Sequence, residues 1–205
     1  MEMSRIGATR IKALLCIALT TGVIATCARA ASFKRSGTIA TISGVIEDGD
    51  DFRLNALLRQ PEKIKLIYLN SPGGNLYAAY KMSESIRASG LATAVDASHA
   101  ICASACTAIF VGGVRRYYLN AQSIVDGSRQ GRGLGFHSAS DWNGGALHAN
   151  QEKSDIGNGL LAYVYREMGA SEANTLTGRA NYTGVFWISG RTALSLNVAT
   201  SLAGP

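Results

Sequence analysis

The sequence predicts an α/β fold in which repeated strand–helix units build a mainly parallel sheet. Apolar, β-branched stretches at Ile39–Ile46, Ile64–Leu69 and Ala92–Val95 are typical of strands, and two segments with helical spacing, Phe52–Arg59 and Leu76–Ala88, alternate with them. Apolar strands joined through helices form parallel sheets with right-handed crossovers. The 205 residues, 47% hydrophobic and 17% charged, suit one such domain with a sizeable core.

The remaining elements follow from apolar spacing and turn residues. They are a polar leader at Ala31–Gly37, a helix over Ser104–Val111, a strand-like piece at Ser123–Val125 resumed at Leu134–His137, a helix from Asp155 to Gly169, a short helix at Ser171–Arg179 and a terminal helix over Gly190–Leu196. Residues 126–133 have no apolar side chain and predict an exposed loop. The polar segment Ser138–Ser154 predicts a mobile flap.

Residues 1–30 have the pattern of a secretory signal peptide. Basic residues at 5, 10 and 12 precede an apolar run, Ala13–Ala25, and Ala28-Arg29-Ala30 fits a small-residue cleavage site. The alternative is an uncleaved membrane anchor, but the apolar segment is about fifteen residues, short of the ~20 that a span needs. Cys27 also suggests a lipoprotein, although the residue before it is Thr26, where a resemblance to lipoprotein signals would require Gly, Ala or Ser. We therefore predict a signal peptide at 1–30, one domain at 31–205, and a periplasmic or secreted protein.

The net charge gives no support for nucleic-acid binding. The formal charge is +6, but removing residues 1–30 leaves 16 basic against 13 acidic groups, or +3. This excess is small and scattered along the chain.

Two loops carry the residues that suggest chemistry. The strand Ile64–Leu69 runs into Asn70-Ser71-Pro72-Gly73-Gly74 and then a helix, a place where free backbone amides favour negative charge. About thirty residues on, Cys102-Ala103-Ser104-Ala105-Cys106 places a serine between small residues before another apolar helix. That arrangement suits a nucleophile whose attack generates an oxyanion.

Cys102 and Cys106 are the cysteines left after signal removal, and they flank Ser104. In an oxidising compartment two nearby thiols tend to pair, and Cα atoms at i and i+4 of a helix lie about 6 Å apart, within disulfide range. The alternative is two small buried thiols on one helical face. A zinc site is not expected, because the mature chain has no further cysteine and its histidines are scattered.

These loops resemble the family of the Clp protease proteolytic subunit, in the wider group that includes crotonases and signal peptide peptidase A. The matching segments are Leu69-Asn70-Ser71-Pro72-Gly73-Gly74, Ala103-Ser104-Ala105, Arg115-Arg116-Tyr117, Asn120-Ala121 and Gly135-Phe136-His137. The likeness extends over roughly Thr38–Ala199, and Val185–Ser189 resembles the family's final strand. It implies a ClpP/crotonase-like fold, allows a homo-oligomer, and implies no cofactor. Family relatives also use an ATP-driven unfoldase, which a periplasmic protein could not employ.

The resemblance implies a catalytic constellation of Ser104 as nucleophile, His137 as base and Asn181 as the residue that orients the base. Backbone amides of Gly74 and Ala105 would form the oxyanion hole. Asn181 stands where family proteases have an aspartate, so it could fix the imidazole but brings no charge.

Each of these residues also has an alternative interpretation. A serine at a helix start is often a cap, a histidine after a strand is often a satisfied core or edge residue, and two glycines can simply make a tight turn. His99 and His148 are the other histidines, and Asp141 or Asp155 could replace Asn181.

We therefore expect a secreted serine hydrolase, a peptidase, that acts through an acyl-enzyme on a peptide or protein without metal or cofactor. The alternative is a catalytically inactive member of the same fold that captures extended peptides by strand addition. A crotonase-like acyl-CoA enzyme is disfavoured, because it would give Ser104 no role. No nucleic-acid partner is expected, and membrane contact only through an uncleaved signal.

Overall fold

A computed structural model of the chain describes residues 30–139, 151–180 and 184–205. The predicted signal peptide, apart from Ala30, lies outside these ranges, as do most of the predicted flap and Asn181. The elements in chain order are β1 Ser32–Ser36, β2 Ile39–Ser43, α1 Asp50–Leu58, β3 Leu66–Asn70, α2 Leu76–Ala88, β4 Ala92–Asp96, β5 Ile101–Ala103, α3 Ala105–Val111, β6 Arg115–Leu119, β7 Gly133–Phe136, α4 Gln151–Glu167, α5 Asn174–Thr177, β8 Phe186–Ile188 and α6 Gly190–Ser195.

The main sheet has five strands in the order β1-β2-β3-β4-β6. Strands β2, β3, β4 and β6 run parallel, and β1 adds an antiparallel edge. Parallel strands need crossover helices, and α1, α2 and α3 supply them in turn. The predicted α/β fold with a mainly parallel sheet is confirmed.

A smaller sheet in the order β5-β7-β8 stands at the carboxyl ends of the main strands. An isolated parallel bridge between Ser71 and Cys102 joins the end of β3 to β5. The amide of Ser71 donates to the carbonyl of Ile101 at 2.7 Å, and Ser71 accepts from the amide of Ala103 at 3.1 Å. The two loops singled out in the sequence are therefore side by side.

The core lies between the main sheet and its helices. Helix α2 packs on α1, α3 and α4, and fully buried side chains from sheet and helices meet there, among them Ile67, Leu69, Met82, Ile109 and Phe110. A second, smaller cluster of Leu66, Ala92, Ala94 and Tyr117 lies on the other face of the sheet. Burial on both faces explains why these strands are apolar runs rather than alternating patterns.

Three strands, β1, β5 and β6, differ from the sequence prediction. Strand β5, Ile101–Ala103, lies in the segment that was expected to be part of the nucleophile loop. The predicted polar leader forms β1, joined to β2 by a tight turn in which Gly37 has φ 56°, and Phe33 of this edge strand packs against the core. Strand β6 was not predicted, because its arginines interrupt the apolar pattern. The side chain of Arg116 is nevertheless buried, since it donates to the backbone carbonyls of Gly113, Asn197 and Val198.

The predicted strand-like piece at Ser123–Val125 is wrong. Asn120, at φ 54°, turns the chain into a 3-10 turn at Ala121–Ser123, after which Ile124 is buried and Val125 is exposed. Helix α4 begins at Gln151, four residues before the predicted start at Asp155, so the end of the predicted flap is helical. Among the described helices none is long and apolar enough to cross a membrane.

Candidate active site

Ser104 occupies the sharp turn between β5 and α3. Its φ of 56° and ψ of −129° lie outside the regions that residues with a side chain favour, at a cost of about 1–3 kcal/mol. Backbone hydrogen bonds hold the turn on both sides: Ser104 N donates to Gly135 O at 3.0 Å, and Thr107 N donates to Ser104 O at 2.9 Å. Such strain persists only where the surroundings over-determine it, so it marks Ser104 as a functional candidate.

Gly73 lets the first loop approach this turn. A Cβ on Gly73 would lie 2.7 Å from both the carbonyl oxygen of Ala103 and the Cβ of Ser104, and its φ is 102°. Gly74 packs against the backbone of Ile46 on the other side, where a Cβ would collide with the Ile46 carbonyl oxygen. These glycines therefore do more than shorten a turn, because both close approaches need a residue without a side chain.

The two loops line a cavity of about 460 Å³. Its walls are Val45, Pro72, Gly73, Gly74, Leu76, Ser104, Ala105, His137, Ala139 and Leu161. The cavity is thus lined by four of the five residues that the sequence proposed for catalysis and oxyanion binding: Ser104, His137, Gly74 and Ala105. Asn181, the fifth, is outside the described residues, as are Asp141 and His148.

Among the backbone N–H groups at this cavity, those of Gly74 and Ala105, the two oxyanion donors proposed from the sequence, have no acceptor within the described part of the chain. The neighbouring groups are in use: Gly73 N bonds the Ser71 hydroxyl at 3.1 Å, and Asn75 N bonds Ile46 O at 2.7 Å. The two open donors come from different loops that line the same cavity. Such a pair can receive an oxyanion.

His137 follows β7 and has one ring nitrogen already bonded. Its Nδ1 lies 2.7 Å from the carbonyl oxygen of Ser138, and the Ser138 hydroxyl donates to Thr177 O at 3.0 Å. A carbonyl can only accept, so this contact assigns the proton to Nδ1 and leaves the Nε2 lone pair free. Between Ser104 and His137, both within the described residues, there is no hydrogen bond; such catalytic contacts often tighten only when substrate binds.

Two other candidates, His99 and Asp155, do not line the cavity. His99 is in a turn with its side chain 71% exposed, 3.0 Å from the Ser98 hydroxyl, and it does not line the cavity. Asp155 lies on an exposed position of α4. Across the described residues, no group of three or more His, Cys, Asp or Glu side chains is placed to hold a metal ion.

Cys102 and Cys106 form a disulfide with Cα atoms 5.1 Å apart. The expected geometry is corrected, because the two residues do not share a helix: Cys102 is in β5 and Cys106 is in the first turn of α3. The turn at Ser104 folds the end of the strand back over the start of the helix. Both cysteines are fully buried, and the bond closes a loop around Ser104 and Ala105.

Sequence reasoning missed two polar residues beneath the turn. Thr107 Oγ1 lies 2.6 Å from Ser104 O and 2.7 Å from the hydroxyl of Tyr165 in α4. Burial raises the pKa of Tyr165 above its ordinary value. Both residues sit in apolar helical patterns, and nothing in the sequence indicates that side chains 58 positions apart meet.

Two solved structures share the fold. A serine-to-alanine mutant of the 1510-N membrane-bound stomatin-specific protease superposes with a TM-score of 0.55 at 17% identity, over 80% of this chain and 78% of that chain. A lysine-to-alanine mutant of the same protease, in complex with a substrate peptide, gives a TM-score of 0.57 at 16% identity, over 80% and 74%. The chain has the ClpP/crotonase-like fold.

Both neighbours are described as a stomatin-specific protease, and at 16–17% identity the likeness to this chain is one of fold. The chain matches no protein-family model, and no curated protein is detectably similar to it.

Proposed function

We propose that the protein is a serine peptidase that cleaves peptide bonds through an acyl-enzyme on Ser104. The observation that carries this proposal is the strained backbone of Ser104 at the wall of a cavity that also contains His137 and two unpaired amides. A serine that only caps α3 would have no need of this backbone conformation. Its side chain makes no capping hydrogen bond to the helix.

In the first step the Ser104 Oγ bonds to the substrate carbonyl carbon while its proton passes to His137 Nε2. The carbonyl oxygen becomes an oxyanion, and the N–H groups of Gly74 and Ala105 donate to it. The imidazolium then gives its proton to the leaving nitrogen as the C–N bond breaks, which leaves an acyl-enzyme and a free amine. Water, deprotonated by His137, hydrolyses the ester and restores Ser104.

The cavity suits an uncharged, apolar side chain next to the bond that is cut. Besides the catalytic candidates, its walls include the apolar residues Val45, Leu76, Ala139 and Leu161. Burial of apolar surface against such walls stabilises the bound substrate by about 25 cal/mol per Å². A peptide or protein segment with an aliphatic residue at this place is the proposed substrate class, and one structural neighbour binds a substrate peptide.

Export is part of the proposal. Ala31, the first residue after the predicted cleavage site, is buried, and its carbonyl accepts a 2.7 Å hydrogen bond from Arg53. Cleavage before Ala31 would therefore leave a mature chain whose first residue is already packed in the domain. N-terminal sequencing of the exported protein should begin at Ala31, and an intact Met1 in a membrane fraction would contradict it.

A fluorophosphonate probe tests the enzyme proposal, because it reacts with an activated serine hydroxyl and not with an ordinary one. The wild type should be labelled at Ser104, Ser104→Ala should not be labelled, and labelling should be lost on denaturation. A folded wild type that stays unlabelled at every pH tested would favour the inactive peptide-binding alternative.

A further inference from the structure

We propose that Thr107 and Tyr165 are positioning residues that hold the oxyanion-binding amide in its working orientation. The inference rests on the proposed function, because it assigns these residues a part in the Ser104 reaction. Neither residue lines the cavity, so both act through the backbone of the nucleophile turn.

The decisive contact is on the carbonyl oxygen of Ser104. That oxygen accepts two hydrogen bonds, from Thr107 N at 2.9 Å and from Thr107 Oγ1 at 2.6 Å. The carbonyl of Ser104 and the N–H of Ala105 belong to the same planar peptide group. Fixing the carbonyl on one side therefore fixes the direction of the Ala105 N–H on the other.

The direction of the hydrogen bonds is determined by counting protons. A threonine hydroxyl has one proton, and Thr107 Oγ1 must use it on the Ser104 carbonyl, which can only accept. The 2.7 Å contact between Thr107 Oγ1 and the Tyr165 hydroxyl is then donated by tyrosine. A chain of bonds runs from Tyr165 to Thr107 to the Ser104 carbonyl, and each bond polarises the next.

Polarisation along this chain acts on the oxyanion hole. A carbonyl that accepts strong hydrogen bonds draws electron density from its own peptide group, so the attached Ala105 N–H becomes a better donor. Tyr165 is fully buried, and burial raises its pKa, so its hydroxyl stays protonated and continues to donate.

Tyr165 also connects this turn to the base. Its ring lies 6.1 Å from that of Phe136, the residue before His137, and α4 supplies Leu161 to the cavity wall. One buried side chain thus contacts the nucleophile side and the base side of the site. Loss of its hydroxyl alone tests the hydrogen bond without removing this packing.

Three substitutions and two matched controls separate positioning from stability. Thr107→Val and Tyr165→Phe delete one hydroxyl each, and Thr107→Ser keeps the hydroxyl. Thr93 is the control for Thr107, because it is a buried threonine whose hydroxyl donates to Phe110 O at 2.7 Å, at the far end of the same helix. Tyr118, a second fully buried tyrosine bonded to the Ile188 carbonyl, is the control for Tyr165.

Kinetics with a small ester give the first readout. Thr107→Val should lower kcat by roughly tenfold or more with KM unchanged, Tyr165→Phe should lower it by several-fold, and Thr107→Ser should restore it. Thr93→Val and Tyr118→Phe should lower the melting temperature and leave kcat near the wild-type value. Equal kcat values in Thr107→Val and Thr93→Val would overturn the inference.

The amide resonance of Ala105 gives a second readout that does not need an active enzyme. Its chemical shift should move in Thr107→Val and in Tyr165→Phe, and stay in place in Thr93→Val. An unreactive wild type with these shifts would refute the proposed function and keep the positioning geometry. A reactive wild type whose Ala105 resonance stays in place in both Thr107→Val and Tyr165→Phe would refute the positioning alone.

Discussion

The carbonyl oxygen of Ser138 lies 2.7 Å from Nδ1 of His137, the residue before it in the chain. In serine proteases a carboxylate usually holds this nitrogen and stabilises the imidazolium that forms during the reaction. A backbone carbonyl can fix the tautomer equally well, but it carries no net charge. The Ser138 carbonyl therefore orients the imidazole as a neutral partner.

Asn181 is the residue where this difference can be tested. We expect Asn181→Asp to raise kcat, because the resemblance assigns this position to the residue that orients the base, and a carboxylate there would add the missing charge. Asn181→Ala should cost less than about tenfold, because the Ser138 carbonyl still holds Nδ1–H. Steady-state kinetics on a small ester measure both.

The outcome also separates Asn181 from the acidic alternatives. A loss far beyond tenfold in Asn181→Ala would show that the amide is the principal orienting group. If both changes at 181 are silent and either Asp141→Asn or Asp155→Asn abolishes turnover, that aspartate is the third member instead.

His137 is predicted to be the general base. Its replacement in His137→Ala should lower kcat by about 10²–10⁴, the usual contribution of such a group, with a smaller effect on KM. His99, an exposed histidine that does not line the cavity, gives the matched comparison. His99→Ala should retain activity; activity that survives in His137→Ala and disappears in His99→Ala would contradict the assignment.

Gly73 should tolerate no side chain. In Gly73→Ala the new Cβ would meet Ala103 O and Ser104 Cβ at 2.7 Å in a backbone with φ 102°, so the nucleophile turn must move. We expect loss of fluorophosphonate labelling and a drop in the free energy of unfolding of more than ~1 kcal/mol.

Gly90 is the control for this prediction. It also has a positive φ, +66°, but a Cβ there meets nothing within 4 Å. Gly90→Ala should therefore cost only the backbone strain, about 1 kcal/mol, and keep full labelling. Equal labelling of the two variants would show that the close approach of the loops has no role in catalysis.

The Cys102–Cys106 disulfide should matter more for activity than for stability. Its loop is short, so it constrains the unfolded chain less than the ~3 kcal/mol expected for a fifteen-residue loop. A Cys102→Ala, Cys106→Ala double variant should unfold at a similar denaturant concentration but react more slowly with the probe. Two free thiols per chain in the exported wild type, counted in denaturant without reductant, would contradict the bond.

The sequence was sufficient where local signals agree. Helix α2 has its predicted bounds, because Asn75 caps its start with a 2.9 Å bond to Ala78 N and Gly90 follows its end. Strands β2, β3 and β4 were visible as apolar runs. The co-location of Ser104, His137, Gly74 and Ala105 could be proposed from the resemblance of their flanking segments alone.

Polar contacts between residues far apart in the chain could not be predicted from the sequence. The guanidinium of Arg116 donates to the carbonyls of Asn197 and Val198, which lie 81 and 82 residues further along the chain. Because the sequence does not show these partners, β6 lacks the apolar pattern that would predict a buried strand. Thr107 and Tyr165 both sit among apolar neighbours, and only the crossing of α3 and α4 brings their hydroxyls together. The backbone angles of Ser104 arise likewise from contacts on three elements.

Trapping the acyl-enzyme tests the central claim most directly. The mature protein, mixed with a slowly hydrolysed p-nitrophenyl ester and quenched in acid, should gain the mass of one acyl group per chain, and peptide mapping should place it on Ser104. Ser104→Ala should gain none, and His137→Ala should acylate far more slowly. An acyl group on another residue, or none in a folded wild type, would contradict the account.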